Sequence, residues 1–178
     1  MKRVWLIVLV LMLGASLVGL AEELPPTVTR SVPLEGGDET RTYTLVRDAQ
    51  GRFAIYIDEE IYESEATDEG MTIQAKKGDA VMTLSVLKGN AKALREKAIT
   101  PEIRNDDWEE EFDGGGEGSG ASPFPGCSAV YTEDGRSRSI YWFDIGGGKV
   151  IRADFSLDSE SQEGHGVRFW DMLRTLTV

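Results

Sequence analysis

Cysteine and histidine are almost missing from this chain of 178 residues, which contains one of each, Cys127 and His165. A single cysteine cannot form an internal disulfide, so the fold has to be stabilised by an apolar core. One histidine and one cysteine cannot complete a zinc site without carboxylates at ligand spacing, and no such spacing is present. We interpret Cys127 as a buried, unreactive residue at the start of a strand.

Positive charge is also scarce, because 19 Lys and Arg residues face 31 Asp and Glu residues, for a net charge of −12. This balance opposes binding to a phosphate backbone or to anionic lipid head groups, so we expect no nucleic-acid partner, and anionic membrane surfaces are disfavoured. The charge suits a soluble protein outside the cytoplasm, or attraction to cations and basic proteins.

The first 21 residues have the pattern of a secretory signal peptide. Basic Lys2 and Arg3 precede an apolar run, and small Gly19 and Ala21 stand where a signal peptidase cleaves. We expect cleavage after Ala21 rather than a retained membrane anchor, because no basic cluster ends the run. The mature chain would be periplasmic or extracellular, without stable membrane insertion, and would carry a net charge of about −14.

Motifs for catalysis and for cofactor binding are missing as well. The run GGGEGSG at residues 114–120 neither follows a strand nor ends in Gly-Lys-Ser/Thr, so it is not a phosphate-binding loop. Ser119 does not stand in a Gly-x-Ser-x-Gly elbow. A hydrolase could still use His165 with Cys127, oriented by Asp171 or Asp158, since such partners need not be sequence neighbours. We prefer a surface histidine, and we predict no enzyme activity and no cofactor.

Alternating apolar residues are what the chain has in abundance. Period-two runs at residues 53–58, 71–76 and 82–87 predict strands with one face in a core. Further strands are predicted at 42–47, 128–132, 139–145 and 150–157, with hairpins at 77–79 and at Asp134-Gly135. Tyr141, Trp142 and Phe143 are expected in the core rather than in a ligand pocket.

Two helices complete the expected order of elements. Asn90 is a suitable N-cap for a short helix over 91–99, and a second helix should run from about Ser159 or Ser161 to Arg174. Arg168 and Arg174 are expected at its carboxyl end. Residues 22–40 are expected to be an extended leader, and residues 41–178 one α+β domain with a central antiparallel sheet flanked by helices.

The order of these patterns resembles the PsbP-like fold. The resemblance rests on the strand near Phe53, the paired hairpin strands, the strand KVIRADFSL and the closing segment DMLRTLTV, and it spans roughly residues 43–178. It implies a small exported protein with an antiparallel sheet between helices. It assigns no activity and no functional residue, and the acidic, glycine-rich loop within residues 106–126 departs from it.

That loop contains the candidate binding site, which we call the acidic segment. Its residues are Asp106, Asp107, Trp108, Glu109, Glu110, Glu111, Phe112 and Asp113. Carboxylates suit calcium, but their spacing is not that of an EF-hand, so we expect a solvated loop instead. Trp108 and Phe112, which are four residues apart, could anchor a helical turn and contact a protein partner. The favoured function is therefore protein binding or support of a cell-envelope complex, and a carrier of a small apolar ligand is an alternative.

Overall fold

A computed structural model describes residues 23–34, 36–99, 111–112, 122–158 and 161–178 of the chain. Its strands are β1 (Thr27–Leu34), β2 (Gly37–Arg47), β3 (Ala54–Ile57), β4 (Tyr62–Ala66), β5 (Gly70–Ala75), β6 (Val81–Lys88), β7 (Glu111–Phe112), β8 (Gly126–Glu133), β9 (Arg136–Gly146) and β10 (Lys149–Leu157). Its helices are α1 (Ala91–Ala98) and α2 (Val167–Leu173), and a π-helical turn, Gln162–Gly166, leads into α2. The predicted signal peptide lies outside the described residues.

Seven of the strands form one antiparallel sheet in the order β4-β5-β6-β10-β9-β8-β7. The predicted hairpins are present, and Asp134 and Gly135 both have positive φ angles, 52° and 75°, as a type I′ turn requires. Ile151, Ala153, Phe155 and Leu157 of β10 share one buried face, as their alternation predicted.

A smaller antiparallel sheet has the order β1-β2-β3. Residues expected in an extended leader, 22–40, supply all of β1 and the start of β2, which pair from Thr27↔Thr44 to Leu34↔Gly37. The segment is extended, but it is a paired hairpin of the domain. Proline is rare in paired strands, but an edge strand tolerates Pro33 at a position whose N–H would point away from β2.

The larger of two apolar cores lies between the two sheets. Val32, Tyr43 and Ile55 from the smaller sheet join Ile73, Phe155 and their neighbours from the larger sheet, and Phe169 and Leu173 of α2 close this core. The second core lies on the other face of the larger sheet, where Ala91 of α1 packs with Cys127, Trp142 and Val150.

The fold is therefore richer in strands than the sequence suggested. An antiparallel sheet is present, but a second sheet provides much of the cover over its larger core, in place of a helix-flanked sandwich. The packing of the smaller sheet on the larger one brings residues that are distant in sequence, such as Val32 and Phe155, into one core, and hydrophobic periodicity does not report such contacts.

Two local expectations were wrong, and one strand was not predicted. That strand is β4, and Phe112 belongs to strand β7 rather than to a helical turn. Arg168 lies at the start of α2, not at its carboxyl end, because the preceding turn is π-helical and the α-helix begins only at Val167.

Candidate functional site

The acidic segment reaches the described structure only through Glu111 and Phe112. Their backbone forms β7, which pairs with β8 at Glu111↔Cys127 and Phe112↔Gly126. This strand is last in the order of the seven-stranded sheet. The other six candidate residues, 106–110 and 113, lie outside the described residues. The segment is thus joined to the sheet at an outer edge.

His165 packs against two aromatic residues of the larger core, Tyr62 and Phe169. The Tyr62 hydroxyl lies 2.7 Å from Nδ1 of His165, and the two rings meet edge to face. Burial and the nearby Arg168 guanidinium lower the pKa of His165. Burial also raises the pKa of Tyr62 well above its ordinary value. At neutral pH this pair is therefore an uncharged hydrogen-bonded contact.

The structure does not bring the predicted catalytic partners to His165. Cys127 is buried in the second core with Trp142, on the face of the sheet opposite Phe169, against which His165 packs. Asp171 accepts two bonds from Arg30, at 2.9 and 2.7 Å. Asp158 affects His165 by its charge, and its Oδ1 accepts a bond from the backbone N–H of Ser161 at 2.7 Å. A Cys127–His165–Asp171 arrangement is therefore not assembled.

A cavity of about 410 Å³ opens beside His165. Its wall contains Arg41, Glu60, Ile61, Lys76, Lys77 and His165. Arg41 donates to Glu60 at 2.7 Å and to Glu39 at 2.5 Å, and Lys76 donates to the carbonyl oxygen of Glu59. Glu39 and Glu60 offset the charge of Arg41, but the carbonyl that Lys76 binds carries no net charge, so Lys76 and Lys77 give the cavity wall a positive character.

A second cavity, of about 570 Å³, lies where residues 23–24 and residues 177–178 approach β3. Its wall contains Glu23, Leu24, Arg47, Gly51, Phe53, Ala54, Thr177 and Val178. Both cavities carry charged side chains, unlike the apolar space between sheet and helix that a carrier of apolar ligands requires. The carrier hypothesis stays a prediction.

The aromatic run on β9 is part of the packing. Trp142 and Phe143 are 1% and 0% exposed, and they point into the two different cores. Tyr141 packs edge-on against Trp170, with ring centroids 4.6 Å apart. The expectation that these rings belong to the core is confirmed.

An ion-pair network joins the smaller sheet to α2, and sequence inspection missed it. Glu39 accepts bonds from Arg168 and Arg41, both at 2.5 Å, and these two bonds lower its pKa. The hydrogen bond between Arg30 and Asp171 raises the pKa of the Arg30 guanidinium. One signal was available in the sequence. Arg30, Glu39 and Arg41 lie on the same face of β1 and β2 as the apolar residues, and this face points inward.

Two absences hold for the described residues. No three His, Cys, Asp or Glu side chains among them are grouped so that they could hold a metal ion. No helix in those ranges is both long enough and apolar enough to cross a bilayer.

Comparison with known proteins identifies a fold rather than a relative. No protein-family model matches the chain, and a search of curated proteins finds no match either. Among solved structures, the chain is similar to the solution structure of cyanobacterial PsbP (CyanoP) from Synechocystis sp. PCC 6803. The TM-score is 0.50 at 10% identity, over 76% of this chain and 92% of that chain.

The fold of this protein is therefore PsbP-like, as the order of sequence patterns predicted. At 10% identity the similarity concerns the fold alone.

Proposed function

We propose that this chain is an exported, non-enzymatic domain that binds a protein partner through the acidic segment, residues 106–113. The observation that supports it most is the backbone pairing of β7 with β8, which joins the segment to the outer edge of the seven-stranded sheet. Six carboxylates and two aromatic residues fall within eight positions there. A basic patch with an apolar centre is the complementary partner surface.

The ionisable groups in the core region favour a structural role over catalysis. Asp171 is bound by Arg30, Glu39 by two arginines, and Nδ1 of His165 contacts Tyr62. A general base or nucleophile needs a partner arrangement that these contacts do not provide. Replacing His165 with Ala should leave any activity found in the purified protein unchanged, and a loss of activity would favour the hydrolase alternative instead.

Export is the part of the proposal that the amino-terminal pattern supports. The protein recovered from the envelope or the medium should begin at Glu22, and its intact mass should lack residues 1–21. Full-length protein found in the cytosol would contradict export without bearing on the fold.

The binding proposal can be tested with a matched pair of charge variants. One variant replaces the six acids of the acidic segment with Asn or Gln. The control neutralises an equal number of exposed acids near β4: Glu59, Glu60, Glu63, Glu65, Asp68 and Glu69. Both variants change the net charge equally, so general electrostatic attraction cannot separate them.

A partner captured by the unmodified protein should be lost from the first variant and kept by the control. Equal loss from both variants would show that overall charge, and not the acidic segment, recruits the partner. Calcium is judged separately: a rise in melting temperature with calcium but not with magnesium would identify the segment as a cation site.

A further inference from the structure

Among the residues that the structure describes, the smaller sheet has one edge that pairs with another segment and one edge that does not. At the β3 edge, Ala54 pairs with Thr177, and its N–H donates to the Thr177 carbonyl at 2.9 Å. At the other edge is β1, eight residues long and paired on one side with β2. A long strand at an open edge is a template for another strand.

The register identifies which backbone groups of β1 face outward. The N–H of Leu45 donates to the Pro26 carbonyl at 2.8 Å, so residue 26 bonds to β2. Hydrogen-bonded positions alternate along an antiparallel strand, so residues 28, 30, 32 and 34 also bond to β2. The N–H and C=O groups of Thr27, Thr29 and Ser31 therefore point away from the sheet.

The side chains at this edge carry no charge on the outer face. Thr27, Thr29 and Ser31 are exposed and lie opposite Thr44, Thr42 and Thr40 of β2, so both strands present hydroxyls there. Arg30, the one charged residue of β1, is bound to Asp171 of α2. In a chain with a net charge of −12, the stretch from Thr27 to Ser31 is therefore a neutral part of the edge, and the next position of β2 along that face is the acid Asp38, opposite Pro33.

We propose that two copies of this protein associate by antiparallel pairing of β1 with β1, on a twofold axis at Thr29. In this register Thr29 faces Thr29, and Thr27 faces Ser31 of the second copy. The three outward N–H groups and three outward C=O groups of each strand then form six hydrogen bonds. Just beyond, Pro33 faces Pro25 of the second copy, and neither has an N–H group left unbonded.

Cysteine crosslinking tests this geometry directly. Residues that face each other in a hydrogen-bonded pair have Cα atoms about 5.5 Å apart, within disulfide range, so Thr29→Cys should form a crosslinked dimer under mild oxidation. Thr42→Cys is the matched control, on the same face one strand inward. In the dimer, the two cysteines at position 42 would lie about 14 Å apart, because three strand spacings separate the two copies of β2. That distance is too long for a disulfide.

Sedimentation at about 0.15 M salt tests the same pairing without a covalent bond. Thr29→Lys places like charges opposite each other on the axis and should weaken the dimer at least about tenfold, whereas Thr42→Lys should change it little. Thr29→Pro removes two of the six bonds and should weaken it by a similar factor while the melting temperature is kept.

Two results would overturn the proposal. One is a monomer at protein concentrations up to about 1 mM, with Thr29→Cys crosslinking no faster than Thr42→Cys. The other is a dimer that persists unchanged in Thr29→Lys and Thr29→Pro, because the contact would then lie elsewhere on the molecule.

Discussion

His165 is the residue whose protonation the fold opposes. Its ring is packed between Tyr62 and Phe169, and burial together with Arg168 lowers its pKa below the ordinary value of about 6.5. The unfolded chain therefore binds a proton at a higher pH than the folded chain does. Stability should fall as the pH falls through about 6.5 and should be unaffected by this group at higher pH.

The measurement is the free energy of unfolding of the wild type and of His165→Gln between about pH 7.5 and 5.5. Carboxylates titrate in both proteins, so the difference between the two curves isolates the histidine. The wild type should lose more stability than the variant over this interval. Equal slopes would mean that His165 is free to take up a proton in the folded state.

Asp171 should be a costly carboxylate to remove. It is 4% exposed and binds Arg30 through two hydrogen bonds. Asp171→Asn should lower the free energy of unfolding by about 2 kcal/mol, since it removes the charge of a buried carboxylate that accepts two hydrogen bonds from Arg30, which is itself one-third exposed.

The pair Arg152–Asp154 is the control, because it has the same chemistry and the same 2.7 Å contact but both side chains are about one-third exposed. Asp154→Asn should cost less than about 1 kcal/mol by urea denaturation. Similar costs for the two substitutions would show that burial does not strengthen the Arg30–Asp171 contact.

Contacts between individual side chains were the feature that the sequence predicted least well. The contact of Arg30 with Asp171 spans 141 positions, and that of Glu39 with Arg168 spans 129. Each of these residues looks like an ordinary surface charge in the sequence. Only the strand register, which turns Arg30 and Glu39 inward, makes them partners of α2.

At the scale of elements, Gly70 is a position where the neighbouring strand leaves no room for a side chain. A Cβ atom at this position would lie 1.8 Å from the carbonyl oxygen of Leu84 on β6. Because the obstacle is backbone, Gly70→Ala should force β5 away from β6 and cost about 3 kcal/mol.

Gly164→Ala is the matched control, since its nearest neighbour is the flexible end of Arg168 at 3.4 Å. It should change the melting temperature far less than Gly70→Ala does. A small effect at Gly70 would indicate that the first residue of β5 can shift without disturbing the sheet.

The elements that sequence predicted well are those with local signals. The turns at 77–79 and 134–135 and the helix after Asn90 each depend on a few neighbouring residues, and each is present. Strand β4 was not predicted, because it is an edge strand whose central residues Glu63, Ser64 and Glu65 are all polar. They show no alternation of apolar and polar side chains. The π-helical turn before α2 has no clear sequence signal.

At the scale of the whole molecule, the pattern-level resemblance and the structural comparison agree on a PsbP-like fold. The order of elements was sufficient for that, because topology limits how such hairpins can pack. The closing of a second sheet over the first could not be predicted, since it depends on β1, β2 and β3 meeting residues far along the chain. The acidic segment was found from composition alone.

The central proposal is that recognition and folding are largely separate in this protein: the two sheets hold the fold, to which the acidic segment contributes only the two-residue edge strand β7, and that segment binds the partner. The most direct test replaces residues 106–120 with a short Gly-Ser linker and measures both the melting temperature and partner capture. We predict a nearly unchanged melting temperature and loss of the partner. A chain that unfolds, or one that keeps its partner, would contradict the account.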